Sequence, residues 1–141
     1  MSEAARTAVL LDTHIWIWLQ ADGIKPLPAR TQEAIRRAAD RGQLLLSAIS
    51  VWELGMLEAK GRIVLDRPCA EWVAGALGTP GLTLVPLTVE IAIESTRLPG
   101  ELHGDPADRI IAATARCMGA RIVTYDKNLQ AYGRKGHLRL V

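Results

Sequence analysis

Ala8-Val9-Leu10-Leu11-Asp12-Thr13-His14-Ile15-Trp16 is the stretch that decides how this chain folds. Its first four residues are a continuous apolar run without alternation, the mark of a strand buried on both faces. The run ends on Asp12, and Thr13 to Gln20 continues with helical spacing. A doubly buried strand that passes directly into a helix opens a βαβ unit, whose next strand lies parallel to the first.

The same alternation recurs outward from there. Pro28 opens a helix over 29–41 that Gly42 closes, and Leu44-Leu-Leu-Ser47 repeats the buried-strand pattern. A helix follows from Ile49 to Lys60, stopped by Gly61. Arg62 to Leu65 reads as a short extended piece, and Pro68 to Leu77 as another helix. Gly78, Pro80 and Gly81 mark a turn before a third strand, Leu82 to Pro86. Thr88 caps a helix that runs to about Leu98, residues 99–104 form a loop, and Pro106 to Met118 is a strongly apolar helix. Arg121 to Thr124 is the fourth strand, and Leu138 to Val141 a short fifth. The implied fold is α/β, a three-layer α/β/α arrangement around a central, mostly parallel sheet of four to five strands. It forms a single domain over 1–141, with 1–7 as a flexible N-terminal segment.

Composition sets the outer limits. A chain of 141 residues, 49% apolar and 23% charged, builds one core without covalent staples. Cys69 and Cys117 stand far apart, without a metal-type spacing, which is the pattern of reduced thiols in a cytoplasmic protein. The apolar run from Ala8 to Leu19 is broken by Asp12 and His14 and is too short for a membrane span. A net charge of +2 permits nucleic-acid binding without arguing for it. Arg36, Arg37 and Arg41, and then Arg134, Lys135 and His137, form two small basic stripes; solvated helix faces and a mobile tail explain them as well as phosphate contact does. Trp16, Trp18, Trp52 and Trp72 read as packing residues rather than a base-stacking platform.

Four acids stand at the ends of apolar runs: Asp12, Glu53, Asp108 and Asp126. Each has a local explanation. Asp12 is placed to cap the helix from Thr13, and Ser50-Val-Trp-Glu53 fits a capping box. Asp105-Pro106 is an N-cap followed by Pro at the first helical position, with Asp108 in the first turn. Asp126 is placed to cap a turn over Lys127 to Leu129. Together they say more, because junctions of this kind gather along the carboxyl rim of a parallel sheet, where ligands bind. Several carboxylates in one crevice need a cation, and oxygen-only ligation suits Mg2+ or Mn2+. An ion held this way activates water and steadies a leaving oxygen, which makes phosphodiester hydrolysis the natural reaction. No Ser-His-Asp set, Walker loop or dinucleotide fingerprint is present; His14, His103 and His137 have no matching nucleophile.

Leu10-Leu-Asp-Thr-His-Ile-Trp16, Ser47-Ala-Ile-Ser-Val-Trp-Glu-Leu54, Asp105-Pro-Ala-Asp-Arg-Ile-Ile-Ala-Ala113 and Thr124-Tyr-Asp126 resemble the motifs of PIN-domain ribonucleases. The resemblance is closest to the VapC-type toxins of toxin–antitoxin pairs. It implies a PIN-like fold and metal-dependent endonucleolytic cleavage of RNA, with Asp12, Glu53, Asp108 and Asp126 as the metal-binding acids. It also implies a homodimer and a VapB-type antitoxin whose C-terminal segment fills the active-site groove, with no membrane partner. Asp105 either joins the metal site or only caps. Thr13 and Thr124 either orient the reacting water or bond to the backbone. Arg109 either touches substrate phosphate or pairs with a neighbouring acid, and the second role suits a cation beside acids better. Ala107 departs from the bulky aromatic frequent at that position, which alters packing rather than chemistry. Two rival readings are a non-catalytic PIN-like scaffold that binds RNA or protein, and a haloacid-dehalogenase-like phosphatase. The phosphatase wants a second Asp at position 14, which is His.

Overall fold

The computed structural model describes residues 7–21, 27–102 and 104–141. The expected flexible segment lies, except for Thr7, outside the described residues, as does His103. Five strands form one sheet: β1 (Val9–Leu11), β2 (Leu44–Ser47), β3 (Leu82–Val85), β4 (Arg121–Val123) and β5 (Arg139–Leu140). Their order is β3-β2-β1-β4-β5, and every pairing is parallel. The described helices are α1 (Thr13–Leu19), α2 (Ala29–Asp40), α3 (Ala48–Ala59), α4 (Cys69–Leu77), α5 (Val89–Thr96), α6 (Pro106–Met118) and α7 (Lys127–Arg134).

Each buried strand feeds two cores. Leu10, Leu45 and Ile122 face the layer made by α5, α6 and α7, where Ile91, Ile111, Leu129 and Tyr132 pack. Val9, Leu11, Leu44, Leu46 and Val123 face the other layer, against Ile15 and Trp16 of α1, Ala38 of α2, Leu54 of α3 and Ala76 of α4. This is why the strands read as unbroken apolar runs: every residue has a covered face to enter. Close approach is built in at Gly81, with φ +80°, where an added Cβ would lie 2.0 Å from the Ala39 carbonyl oxygen.

Two expectations need correction. Lys127 to Leu129 is not a turn but the first part of α7, which runs to Arg134. Residues 62–65 form no strand. The expected fifth strand does form, with Arg139 and Leu140 paired to Arg121 and Ile122 of β4. The tryptophans divide. Trp16 is fully buried, edge-on to Trp72 with centroids 5.4 Å apart, whereas Trp52 is 57% exposed.

Strand order places the functional rim. Crossovers from β1 run outward through β2 to β3, and β4 then returns to the other side of β1. The carboxyl ends of β1 and β4 therefore flank the point where the winding direction reverses, which is where a crevice opens in sheets of this kind.

Candidate active site

Asp12 leaves the end of β1 at this switch point and is only 5% exposed. Its backbone is extended and it caps α1, with Oδ1 accepting the Thr13 amide at 2.8 Å. Oδ2 accepts the Thr124 hydroxyl at 2.6 Å, from the end of β4. The capping explanation and the rim explanation thus hold at once, because one oxygen caps while both are held fixed. Burial pushes the Asp12 carboxyl above its ordinary range against the two hydrogen bonds.

Glu53 is positioned by a relay that local sequence does not reveal. The Thr13 hydroxyl donates to Glu53 Oε1 at 2.5 Å and lies 2.7 Å from the Ser50 hydroxyl. Thr13 has one proton and gives it to Glu53, so Ser50 is the donor to Thr13. The expected Ser50–Glu53 capping box is not formed. α3 begins one residue earlier, at Ala48, and Ser47 caps it by accepting the Ile49 amide. Glu53 consequently sits in the second turn rather than the first, and the relay holds it over the rim. Burial raises its carboxyl, with the charges of Asp12 and Asp105 adding to the effect.

Asp108 enters from the first turn of α6, and Asp105 caps that helix through the Asp108 amide at 2.9 Å. Asp108 is pushed up to about 7, first by burial and then by the charges of Asp105, Asp126, Asp12 and Glu53. Gly104 passes so close that an added Cβ would meet Asp108 Oδ2 at 2.9 Å. Asp126 caps α7 by accepting the Leu129 amide at 2.9 Å and gives its own amide to the Thr124 hydroxyl. Thr124 is thus a hub, tying Asp12 to Asp126 and β1 to β4.

Of the two roles expected of the threonines, Thr124 takes the backbone one, its hydroxyl accepting the Asp126 amide, but both hydroxyls also do something else. They orient carboxylates, with their hydroxyls aimed at Asp12 and Glu53. Arg109 also differs from expectation. It pairs with no acid among the described residues; its guanidinium donates to the Ser95 carbonyl at 2.9 Å and the Leu102 carbonyl at 3.4 Å. It ties the end of α5 and the following loop to α6, and leaves the acids without its charge. Ser50 was missed as a supporting residue, because its spacing to Glu53 had a ready local explanation.

Five carboxylates from four parts of the chain therefore share one rim, and among the described residues no ion pair reaches any of them. As the side chains stand, no three His, Cys, Asp or Glu groups among the described residues already converge on one point. The donors fit a hard divalent cation: they are all carboxylate oxygens, and Asp105, Asp126, Asp12 and Glu53 all lie near enough for their charges to act on Asp108.

A family model for the PIN domain matches residues 9–135. Ribonuclease VapC22 of Mycobacterium tuberculosis is 35% identical over 127 residues, 89% of this chain and 92% of that protein. Among solved structures, the DNA-bound VapBC from Salmonella typhimurium superimposes with a TM-score of 0.67 at 21% identity, covering 96% of this chain and 97% of that one. VapBC2 from Rickettsia felis, bound to a DNA fragment from its promoter, gives 0.67 at 17% identity, covering 95% and 97%. A toxin–antitoxin complex from Klebsiella pneumoniae gives 0.57 at 26%, covering 86% and 90%. The all-parallel five-stranded sheet is the shared architecture.

Proposed function

The chain belongs to the PIN-domain family, and on that premise we propose that it is a Mg2+- or Mn2+-dependent endoribonuclease, the toxin of a VapBC-type pair. The observation that carries this reading is the rim itself, with Asp12, Glu53, Asp108 and Asp126 gathered at the switch point and Asp108 lifted to about 7. Family membership sets the phosphatase reading aside.

Asp12, Glu53, Asp108 and Asp126 would hold the cation, with Asp105 at its margin. The chemistry such a cation would supply there is polarisation of the scissile phosphate, activation of water and neutralisation of charge on the departing oxygen. The chain's own residues supply the rest. Thr124 and the Thr13 amide fix both oxygens of Asp12, and the Ser50–Thr13 relay fixes Glu53, so the carboxylates meet the phosphate in one geometry. A rim carboxylate accepts the proton that leaves the attacking water.

The partners follow from the same reading. They are an RNA substrate, a second copy of the chain, and a VapB-type antitoxin whose C-terminal segment occupies the groove over the acids. The setting is the cytoplasm; no helix among the described residues is long and apolar enough to cross a membrane.

The test is cleavage of total cellular RNA by the purified, antitoxin-free protein in Mg2+, Mn2+ or EDTA, beside Asp12→Asn. Discrete metal-dependent fragments, absent with the variant, are expected. Equal cleavage by Asp12→Asn would overturn the assignment, and a folded wild type that cuts nothing under any metal would favour the scaffold.

A further inference from the structure

Next to the acids lies a cleft of about 160 Å³ that the chemistry above does not use. It opens at the carboxyl ends of β4 and β5, and Arg30, Tyr125, Gln130, Leu140 and Val141 line it. Thr124, which also lines it, is the residue that holds Asp12, and Tyr125 is bonded in the chain to Asp126. The cleft and the rim are therefore neighbours that share a wall.

Building on the ribonuclease reading, we propose that this cleft is a nucleobase subsite, holding one unstacked base of single-stranded RNA within two nucleotides of the scissile phosphate. Its size is the first argument. It lies well below the several hundred Å³ of pockets that enclose a whole cofactor, yet it admits a planar ring. Its lining is the second. Leu140 and Val141 give an apolar floor, and Tyr125 an aromatic surface. Trp18 braces that ring at a centroid distance of 5.5 Å and an angle of 42°, so Tyr125 is fixed rather than free to fold away. Gln130 is fixed as well, because its Nε2 donates to the Thr124 carbonyl at 3.0 Å. A held amide presents its remaining donor and its acceptor in one plane, the complement of a base edge. Arg30 is the third argument. It is exposed in the first turn of α2 and forms no ion pair among the described residues. A cation at the cleft mouth meets the phosphate of the nucleotide whose base is inside. Aromatic surface, planar amide and guanidinium together are the means by which proteins read splayed-out RNA bases. A double-stranded substrate keeps its bases stacked and would leave the cleft empty.

The test uses full-length protein. Binding of labelled, random-sequence single-stranded RNA is measured by anisotropy in an Asp12→Asn background, and cleavage ends are sequenced for the active versions. Arg30→Ala should weaken binding about fivefold and reduce the salt slope by ~0.7, the effect of one lost phosphate contact. Tyr125→Leu should weaken it about tenfold and relax the base preference at one position near the cut. Tyr125→Phe should restore both, and Arg30→Lys most of the affinity. Thermal melts show which variants are folded; should Tyr125→Leu not fold, Arg30→Ala decides alone. Unchanged affinity, salt slope and base preference beside an active wild type would overturn the subsite and leave the ribonuclease standing. A wild type that neither binds nor cuts RNA would overturn both.

Discussion

Glu33 on α2 and Asp108 on α6 are both acids among several charged neighbours, and their carboxyls move in opposite directions. Glu33 accepts from Arg36 at 2.5 Å and Arg37 at 2.9 Å, and these guanidiniums hold it down at about 2. Asp108 is held up at about 7, first by burial and then by the other carboxylates around it. Sequence places charges in both regions, but only one of them is balanced. The network of Glu33, Arg36, Arg37 and Asp40 is a solvated surface device in which each of the four charges has a partner, and such pairs contribute little. The rim keeps charges of one sign together at a cost to stability, which proteins tolerate mainly where function needs it.

The comparison can be broken most forcefully at Thr124. Thr124→Val removes the hydroxyl that joins Asp12 to Asp126 while keeping the shape. Cleavage should fall ~10- to 100-fold, the usual effect of losing a group that orients metal ligands; RNA-cleavage rates at saturating metal check it, and an unchanged rate would show that the rim needs no hub. Gly104→Ala comes next. Its Cβ would press on Asp108, so activity should drop severalfold with the far-ultraviolet circular dichroism unaltered.

Asp108→Asn probes the electrostatics directly. A carboxyl that ionises near 7 in the folded chain and near 3.8 when unfolded binds more protons folded across that window. Stability of the metal-free protein should therefore fall as pH rises from about 4 to about 7, with the loss complete above. Asn removes that penalty, so metal-free Asp108→Asn should melt ~3 °C higher than wild type at pH 8 and no higher at pH 4. Added Mg2+ or Mn2+ should raise the wild-type melting temperature at pH 8 and do less for the variant. A metal-free wild type that is as stable at pH 8 as at pH 5 would refute the picture of an unbalanced rim. The smallest effect belongs to the other region: Glu33→Gln should move the melting temperature by less than about 2 °C and leave cleavage untouched.

Much of the fold was legible because burial on both faces leaves a plain trace. Val9–Leu11 and Leu44–Ser47 are buried throughout and fall inside the apolar runs that announce them, whereas Leu82–Val85 leaves Thr83 and Leu84 exposed and was marked as much by the turn before it. α7 was not legible. Its buried side is carried by Leu129 and Tyr132 alone, in eight residues that include Gly133 and four cations or amides, Lys127, Asn128, Gln130 and Arg134. Arg109 misled for a different reason. Chain proximity to Asp108 suggested a charge pair, but in a helix consecutive residues point about a hundred degrees apart. Arg109 therefore faces the α5 end and the loop, where carbonyls await it.

The sequence alone determined most of the elements, that the sheet is parallel, and that Asp12, Asp108 and Asp126 stand at element starts. Those properties depend on residues within a few positions of one another: apolar runs, caps, glycine stops. What the acids do to each other was decided only in three dimensions. Thr124 lies 112 residues from the Asp12 it holds, and Thr13 lies 40 from Glu53. Strand order alone brings these pairs together. The energies that matter at the rim, desolvation and like-charge repulsion, depend on distance in space, and the chain acquires those distances only by folding.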